Sequence, residues 1–425
     1  MKNKTKIIEV IFKKIEEKGV SVGKFDGKKV FAYGVLPGEK AKILVTQERK
    51  NFIKGELLEI IKKSKFRIEP KESHYLSCSP WQTFDYNFQV KLKKELLEKI
   101  IKKFKLDFQI DNFFPSKKIF EYRTKLEFSF LENKRLFLAF YKRENPFEKI
   151  PLKEGCLLID KLSNEIALDF LNYLNSQKIR NLKSLIIRRS INFDDRIFCL
   201  LSKEKEVNVD WWHPDLSGLV VGFSNPQSPV SSFDEILKIS GRVEIREKIL
   251  DKEFLYGYKS FFQNNIQMFE KALKLMRENI QKGKKIVDLY CGVGVIGILL
   301  SEFAKKIYFV EIEKESTNYI RLNCNLNGIK NFEIINLSSE KIPNPILEGV
   351  DILILDPPRA GLHPKLIKKI LKNKPKQILY LSCNPSTQMR DFSLLRSIYK
   401  LEKFYGFDFY PNTPHIESLM VLKAK

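Results

Sequence analysis

The spacing of apolar and polar residues divides this chain into three regions. Residues 1–63 hold short segments rich in β-branched and aromatic residues, separated by turn signals such as Asp26-Gly27. Five short strands within about 60 residues are typical of a small barrel of the oligonucleotide-binding kind. We therefore predict an OB-like β-barrel over residues 1–63, with strands at Ile7–Lys14, Val20–Phe25, Lys29–Tyr33, Lys40–Thr46 and Phe52–Ile61.

The second region, residues 64–260, begins with a helical pattern and then alternates in the manner of β-strands. Residues 91–105 place apolar side chains at helical spacing and carry a basic face, so they predict an amphipathic helix. Beyond residue 119 the period falls to two, with Asn, Asp, Gly and Pro at the breaks. We predict a central, mainly β domain, with strands at Arg123–Leu131, Arg135–Tyr141, Ser184–Ser190, Asp195–Leu201 and Gly218–Ser224.

The third region, residues 261–425, alternates helical patterns with short apolar runs. Strands separated by helices in this way indicate βαβ units and a parallel sheet. The predicted strands are Lys285–Tyr290, Lys306–Glu311, Phe332–Asn336, Asp351–Asp356 and Gln377–Ser382. The fold class predicted for the whole chain is therefore multidomain α/β, with a Rossmann-like domain at the carboxyl end.

Charge suggests a polyanionic partner for the amino-terminal region. The 425 residues include 76 Lys or Arg and 52 Asp or Glu, a net charge of +24. Residues 1–64 alone hold 16 basic and 8 acidic residues, an excess above the chain average. Local excess favours contact with nucleic acid over a uniformly lysine-rich composition. The sequence shows neither a membrane-spanning apolar run nor a signal-peptide core, so we expect a cytoplasmic protein.

Cys383 is the foremost candidate for chemistry. It follows the apolar run Gln377–Ser382 and precedes Asn384-Pro385, where a strand cannot continue. Ligands of open α/β sheets gather at the carboxyl ends of the strands. The other cysteines are scattered without zinc-like spacing, so we expect mostly buried free thiols in a reducing compartment.

The loop after the first strand of the third region predicts a cofactor site. Gly292 and Gly294 let a ligand approach the backbone closely, and Glu311 ends the second strand where a carboxylate can accept ribose hydroxyls. With Gly297 the spacing also satisfies the dinucleotide fingerprint. Asp288 suits the cationic methionine part of S-adenosylmethionine, whereas it would repel a pyrophosphate. Asp356 precedes two prolines that stiffen the exit of the fourth strand, and this segment also favours S-adenosylmethionine over a dinucleotide.

Five motifs, taken in order, resemble those of the RNA uracil-5 methyltransferase family. The resemblance covers essentially the whole chain, because residues 1–62 are similar to the TRAM RNA-binding domain that precedes the ribosomal enzymes. It implies a class I methyltransferase fold, S-adenosylmethionine as cofactor and an RNA substrate. The motifs are Ser260-Phe-Phe-Gln-Asn-Asn265, Asp288-Leu-Tyr-Cys-Gly-Val-Gly294, Asp356-Pro-Pro-Arg-Ala-Gly-Leu362, Leu381-Ser-Cys-Asn-Pro385 and His415-Ile-Glu417.

The resemblance also implies roles for individual residues. Carbon 5 of uracil is a weak nucleophile, and a thiolate that adds to carbon 6 activates it. Cys383 would be that nucleophile and Glu417 the base that removes the carbon 5 proton. Arg359 could steady the enolate oxygen or a phosphate. The residues implied to hold S-adenosylmethionine are Gln263, Tyr290, Glu311 and Asp356, together with Asp288, Gly292 and Gly294 of the loop.

One departure from the family concerns metal. Ribosomal members commonly carry four cysteines for an iron–sulfur cluster, whereas this chain retains Cys78 and Cys156, with Glu72 and Trp81 at two ligand positions. Two thiolates do not meet the Cys₄ requirement. We therefore predict neither a cluster nor another metal, with Trp81 packing in its place.

Alternatives to this function remain. A cytosine-5 methyltransferase would usually keep a cysteine beside the fourth-strand motif, and an NAD-dependent enzyme would not need Cys383. The chain could also be a non-catalytic RNA-binding or assembly factor with a methyltransferase fold. The barrel favours large-subunit (23S) ribosomal RNA as substrate over transfer RNA. We expect a monomer.

Overall fold

The amino-terminal barrel follows from alternating apolar residues and tight turns. The structure is a computed structural model that describes residues 6–425, so the first residues of the predicted barrel domain lie outside the described residues. Five strands close in the order β1-β2-β3-β5-β4, with β1 paired to β4. Asp26 and Gly27 take positive φ in the two-residue turn between β2 and β3. The strands are β1 (Ile7–Ile15), β2 (Ser21–Phe25), β3 (Lys28–Ala32), β4 (Lys40–Glu48) and β5 (Phe52–Lys62).

A seven-stranded sheet follows the barrel, in the order β13-β12-β11-β10-β7-β8-β9. A separate two-stranded hairpin, β14-β15, follows this sheet in the chain. The elements of this region are α1 (Tyr75–Cys78), α2 (Tyr86–Lys103), β6 (Asn112–Phe114), β7 (Lys125–Glu132), β8 (Leu136–Tyr141), β9 (Lys149–Pro151), α3 (Lys161–Ser176), β10 (Leu182–Arg189), β11 (Arg196–Ser202), β12 (Gly218–Phe223), β13 (Glu235–Gly241), β14 (Glu244–Ile249) and β15 (Lys252–Gly257).

The carboxyl-terminal region forms an eight-stranded sheet in the order β18-β17-β16-β19-β20-β22-β21-β6. Its first five strands are parallel, and β22 runs antiparallel to β20. The elements are α4 (Ile266–Asn279), β16 (Lys285–Leu289), α5 (Val295–Leu299), β17 (Lys306–Glu311), α6 (Lys314–Leu326), β18 (Phe332–Asn336), α7 (Asn344–Leu347), β19 (Ile352–Leu355), α8 (Pro364–Asn373), β20 (Gln377–Ser382), α9 (Pro385–Leu395), β21 (Tyr399–Phe407) and β22 (Glu417–Ala424), with 3₁₀ turns at Ser301–Phe303 and Ser339–Lys341.

The predicted boundary of the central domain, 64–260, does not follow the sheets. Helix α2 packs against α9, and β6 pairs with β21 at the edge of the carboxyl-terminal sheet. The apolar stripe of α2, which includes Leu96 and Leu97, is buried in one hydrophobic core together with Tyr380 from strand β20 of this sheet. An amphipathic helix must bury its apolar face, and the nearest uncovered surface lies on the other domain.

Two further features of the second region differ from the predictions. The region is less purely β than predicted, because α3 covers sixteen residues and is capped by Asp160, which accepts from the amide of Ser163. Lys93, assigned to a solvated basic face, is fully buried and paired with Asp408. None of the helices described in residues 6–425 combines the length and apolar character that crossing a membrane requires.

Candidate active site

Strand register brings Cys383 and Glu417 to one edge of the carboxyl-terminal sheet. Strands β20 and β22 are antiparallel, with Ser382 opposite Ser418. Cys383 therefore leaves β20 where Glu417 begins β22. Asp356 follows β19, which is parallel to β20, and lies at the same edge. The structure thus places together three residues that are 27 to 61 positions apart in the chain.

The thiol of Cys383 stands in a setting that opposes its ionisation. Burial, followed by the negative charges of Glu417 and Asp356, raises the pKa of Cys383 to about 11. The nearby positive charge of Arg359 acts in the opposite direction and lowers the pKa of the thiol. Arg359 is therefore the described group that favours a Cys383 thiolate.

The two carboxyl groups beside Cys383 are poorly compensated. Glu417 is 3% exposed, its Oε2 has no hydrogen-bond partner, and burial together with Asp356 raises its pKa well above the usual value. Burial also raises the pKa of Asp356 to about 7, opposed by a long contact of 3.4 Å from Gln263 Nε2. Raised pKa values of this kind suit groups that exchange protons near neutral pH.

The loop after β16 is shaped for a ligand. Tyr290, Gly292 and Gly294 all take positive φ, and a side chain added to Gly292 would meet open space. Asp288 accepts from the amide of Gly297 through Oδ2 at 2.8 Å, whereas its buried Oδ1 has no partner. Burial raises the pKa of Asp288 well above its ordinary value. Gly297 itself serves packing, because an added Cβ would lie 2.5 Å from the ring of Phe309.

The remaining predicted cofactor residues border the same loop with different orientations. Glu311 Oε2 accepts from the amide of Gly292 at 2.9 Å, which links the ends of β16 and β17. Gln263 is buried beside Asp356, and its Oε1 is unpartnered. The side chain of Tyr290 turns instead towards Ser339, and burial raises its pKa to about 12.

The donor set fits S-adenosylmethionine. Unpartnered oxygens of Gln263 and Asp288 and the open space above Gly292 supply acceptors and room for a cationic methionine group. The carboxylate of Glu311 lies at the end of the second strand, where a ribose would be bound.

A cleft of about 430 Å³ opens in front of Cys383. The barrel contributes part of its wall, and Ser386 Oγ donates to Glu17 Oε2 at 2.8 Å across the junction. Burial, with nearby cations, lowers the pKa of His415 to about 3, so its imidazole is neutral. Besides Cys383, the side chains that line the cleft and carry polar groups are Glu17, Lys18, Tyr33, Arg143, Arg359, Asn384, Ser386 and His415.

Sequence reasoning missed two residues of this cleft, Tyr33 and Arg143. The Arg143 guanidinium lies 5.4 Å from the centre of the Tyr33 ring, joining the barrel to the segment after β8. Neither residue belongs to a motif, and only the docking of the barrel brings them to the cleft. The basic excess of residues 1–64 was the only signal that pointed to this surface.

Cys78 and Cys156 are close neighbours, as their positions in the family implied. Glu72 lies beside them, and so does His74, which the sequence did not single out. Trp81 packs elsewhere, stacked on Phe84 in the core beneath α2. The absence of an iron–sulfur cluster stays a prediction.

Comparison with known proteins places the chain in a family. The model of the tRNA (uracil-5-)-methyltransferase family matches residues 85–425, and that of the TRAM domain matches residues 2–58. An uncharacterised RNA methyltransferase of Clostridium tetani is 30% identical over 99% of this chain and 98% of its own length. A protein of the same description from Nanoarchaeum equitans is also 30% identical, over 98% and 93%.

A solved structure shows the same fold over nearly the whole chain. The tRNA (uracil-54, C5)-methyltransferase of Pyrococcus abyssi, in complex with S-adenosyl-L-homocysteine, matches with a TM-score of 0.80 and 24% identity, covering 98% of this chain and 100% of its own. The present chain belongs to the tRNA (uracil-5-)-methyltransferase family. It is an S-adenosylmethionine-dependent RNA methyltransferase with an amino-terminal TRAM domain.

Proposed function

We propose that this member of the family methylates carbon 5 of a uridine in RNA, with Cys383 as nucleophile and Glu417 as base. The observation that carries the proposal is the position of Cys383, just past the end of β20, next to the start of β22 at Glu417 and beside Asp356 and the cofactor loop. A buried carboxyl without a partner destabilises the fold, so a functional reason is needed for it. We place the reaction in the cytoplasm, carried out by a monomer.

The first step forms a bond between the Cys383 sulfur and carbon 6 of the uracil. The electron pair of the carbon 5–carbon 6 double bond moves towards the carbonyl oxygen at carbon 4, which makes carbon 5 nucleophilic. The thiol has to lose its proton first, and the burial and nearby carboxyl groups that raise its pKa to about 11 oppose that loss. We propose that the proton passes to solvent in the cleft and that the positive charge of Arg359 stabilises the thiolate left behind.

S-adenosylmethionine would supply an electrophilic methyl group on a sulfonium, and S-adenosyl-L-homocysteine would be released as that sulfur–methyl bond breaks. After carbon 5 has gained the methyl group, the Glu417 carboxylate removes the carbon 5 proton. The carbon 5–carbon 6 double bond then reforms as the sulfur–carbon 6 bond breaks, and Cys383 is released. The raised pKa of Glu417 makes its ionised form a stronger base than an exposed carboxylate.

A uridine reaches this thiol only when it is turned out of a stacked RNA. Cys383 lies at a cleft whose walls come from the barrel, from α2 and from the loop before β22. Basic and aromatic side chains, Lys18, Tyr33 and Arg143, line it and suit a backbone phosphate and an unstacked base.

Large-subunit ribosomal RNA is the substrate we propose, because the barrel precedes the ribosomal enzymes of the family. Transfer RNA is the second candidate. It is favoured by the Pyrococcus abyssi enzyme, named for uracil-54 of tRNA, whose chain the present one matches from end to end.

The test is transfer of labelled methyl from S-adenosylmethionine to purified 23S ribosomal RNA and to purified tRNA, followed by nucleoside analysis. We expect 5-methyluridine in one of them and none with Cys383→Ala. The matched control is Cys324→Ala, which removes a buried cysteine from α6 and should retain activity. Methylated cytidine as product, or activity in Cys383→Ala, would refute the proposal.

Trapping distinguishes the two catalytic residues. RNA that contains 5-fluorouridine should form a covalent adduct with the wild-type protein, because no proton can be removed from carbon 5. Glu417→Gln should accumulate a methylated adduct with ordinary RNA, since proton removal follows methyl transfer. Free turnover by Glu417→Gln would remove that residue from its role.

A further inference from the structure

Four side chains with metal-binding atoms meet at a place remote in sequence from the active-site motifs. Glu72 precedes α1, His74 is the N-cap of α1, Cys78 is its last residue, and Cys156 lies between β9 and α3. One ligand atom from each of the four lies within 4.8 Å of the other three. Glu72, His74 and Cys156 are buried, and Cys78 is partly buried.

The contacts inside the quartet are those of groups that face a common point. His74 Nε2 lies 3.1 Å from Glu72 Oε1, yet this buried nitrogen has no hydrogen-bond partner. Cys78 Sγ lies 3.9 Å from Glu72 Oε2. Four ligands at tetrahedral angles around one Zn²⁺ are about 3.3–3.8 Å apart, given zinc bonds of about 2.0–2.3 Å. The quartet therefore needs only a small contraction to enclose a single ion.

An iron–sulfur cluster does not fit these residues. The quartet supplies two thiolates, one imidazole and one carboxylate, whereas the cluster expected from the family requires four cysteines. Two sulfurs, a nitrogen and an oxygen are instead a donor set that Zn²⁺ accepts in tetrahedral sites.

The surroundings hold the ligands in place. Gln82 Nε2 and the amide of Leu157 donate to the two oxygens of Glu72, at 2.9 and 2.6 Å. Asn164 clamps the peptide of Cys156 from both sides, accepting from its amide at 2.9 Å and donating to its carbonyl at 3.0 Å. Outer hydrogen bonds of this kind orient metal ligands and are part of a built site.

In place of the expectation that the chain binds no metal, we propose that Glu72, His74, Cys78 and Cys156 bind one Zn²⁺ ion that fastens α1 to the loop before α3. The consequence reaches the RNA cleft through Arg143. Its Nε donates to the carbonyl of Leu76 in α1 at 2.9 Å, and its guanidinium lies against Tyr33 of the barrel. The ion would thus position Arg143 without taking part in the reaction.

Metal analysis of the full chain, purified in reductant without chelator, tests the proposal. We expect one zinc per chain. After chelator treatment, titration with Co²⁺ should produce the intense near-ultraviolet charge-transfer absorption of thiolate–cobalt bonds, and Zn²⁺ should abolish it. Failure to bind Zn²⁺ or Co²⁺ stoichiometrically, or stoichiometric iron with sulfide, would overturn the proposal.

Cys156→Ser and His74→Ala should each lower zinc affinity by about tenfold or more, as losses in a metal's ligand environment do. The matched control is Cys199→Ser, another fully buried cysteine that lies in a different core. It should bind zinc normally, and equal loss of zinc in the control would contradict the assignment. If Cys156→Ser or His74→Ala does not fold, the Co²⁺ spectrum of the wild-type protein tests the proposal by itself. The intensity of its charge-transfer absorption rises with the number of thiolates bound to the ion.

Removal of zinc should affect RNA binding more than chemistry. We expect the KM for RNA to rise several-fold and kcat to change less. The reason is that Arg143 lies in the cleft and has no part in the proposed reaction. Restoration of KM by added Zn²⁺ would support the positioning role. A change in kcat alone would refute it.

Discussion

Two regions of the molecule bury charged side chains in opposite ways. Beneath α2, Lys93 Nζ donates to Asp408 Oδ1 at 2.5 Å and to the carbonyl of Tyr410 at 3.0 Å, and Tyr86 donates to the other oxygen of Asp408. At the edge of the sheet, Glu417 keeps an unpartnered oxygen. The first arrangement is complete in the folded chain.

The second arrangement is incomplete, because Asp288 and Glu417 retain unpartnered oxygens and the contact from Gln263 to Asp356 is long. Buried polar atoms without partners cost about 1–3 kcal/mol each. A fold retains such costs where a ligand supplies the missing contacts. The difference supports our proposal that cofactor and substrate bind at the sheet edge, whereas the Lys93–Asp408 pair serves the structure.

Disruption of the Lys93–Asp408 pair beneath α2 should have the largest effect on stability. Lys93→Met leaves Asp408 buried without a cation, and such a loss costs about 3–5 kcal/mol. Lys94→Met on the same helix is exposed and should change the free energy of unfolding little. Denaturant unfolding at neutral pH measures both. Equal stability of the two variants would remove the distinction between the regions.

At the edge of the carboxyl-terminal sheet, substitution of Glu417 should lower activity without lowering stability. Glu417→Gln should lower kcat by about 10²–10⁴-fold, the usual contribution of a general base. Its free energy of unfolding should stay the same or rise, because a buried acid without a partner is removed. The exposed Glu402→Gln serves as control for both measurements. Marked destabilisation by Glu417→Gln would show that the carboxyl is structural.

Binding of S-adenosyl-L-homocysteine should supply the missing contacts at the sheet edge and so stabilise the protein. S-adenosyl-L-homocysteine at 100 times its Kd should raise the free energy of unfolding by about 2.7 kcal/mol. Glu311→Gln and Asp288→Asn should weaken that stabilisation, whereas Lys94→Met should not. Thermal shift measures all three. Stabilisation by NAD in place of the homocysteine ligand would instead favour a dinucleotide site.

The smallest effect is expected from pH. Asp356 has a pKa of about 7 in the folded protein and about 4 when unfolded, so the folded state holds more protons between these values. Stability should therefore fall as pH rises from 4 to 7. Asp356→Asn should remove this loss and be more stable than wild type at pH 8, by about 1–3 kcal/mol. A parallel pH profile for the two proteins would contradict the raised pKa.

Much of the fold was predictable because its signals are local. Strands β17, β18 and β20 have the predicted bounds, since each is a short apolar run between helical patterns. The barrel strands follow from alternation and from turns such as Asp26-Gly27. Helix α3 was missed because it lies within a region read as alternating, although Asp160 marks its start.

The candidate site was predictable where a motif lies on a strand end. Cys383, Asp356 and the glycine loop all follow buried runs, so the parallel sheet brings them to one edge. Glu417 and Gln263 came from the family resemblance, because neither follows a parallel strand. The cleft residues Tyr33 and Arg143 belong to no motif, and the basic excess of residues 1–64 pointed to their surface without singling them out.

Local patterns in the sequence predict the barrel strands, the parallel strands β16–β20 and the sheet edge at which Cys383, Asp356 and the glycine loop lie. These depend on the period of apolar residues and on glycine and proline, which act over a few positions. Tertiary structure alone decided that Lys93 is buried against Asp408, that α2 packs on the carboxyl-terminal sheet, and that Glu72, His74, Cys78 and Cys156 meet. Such contacts join residues as far apart as Lys93 and Asp408, which are separated by 315 positions, and their energy depends on packing and desolvation, which no local pattern encodes.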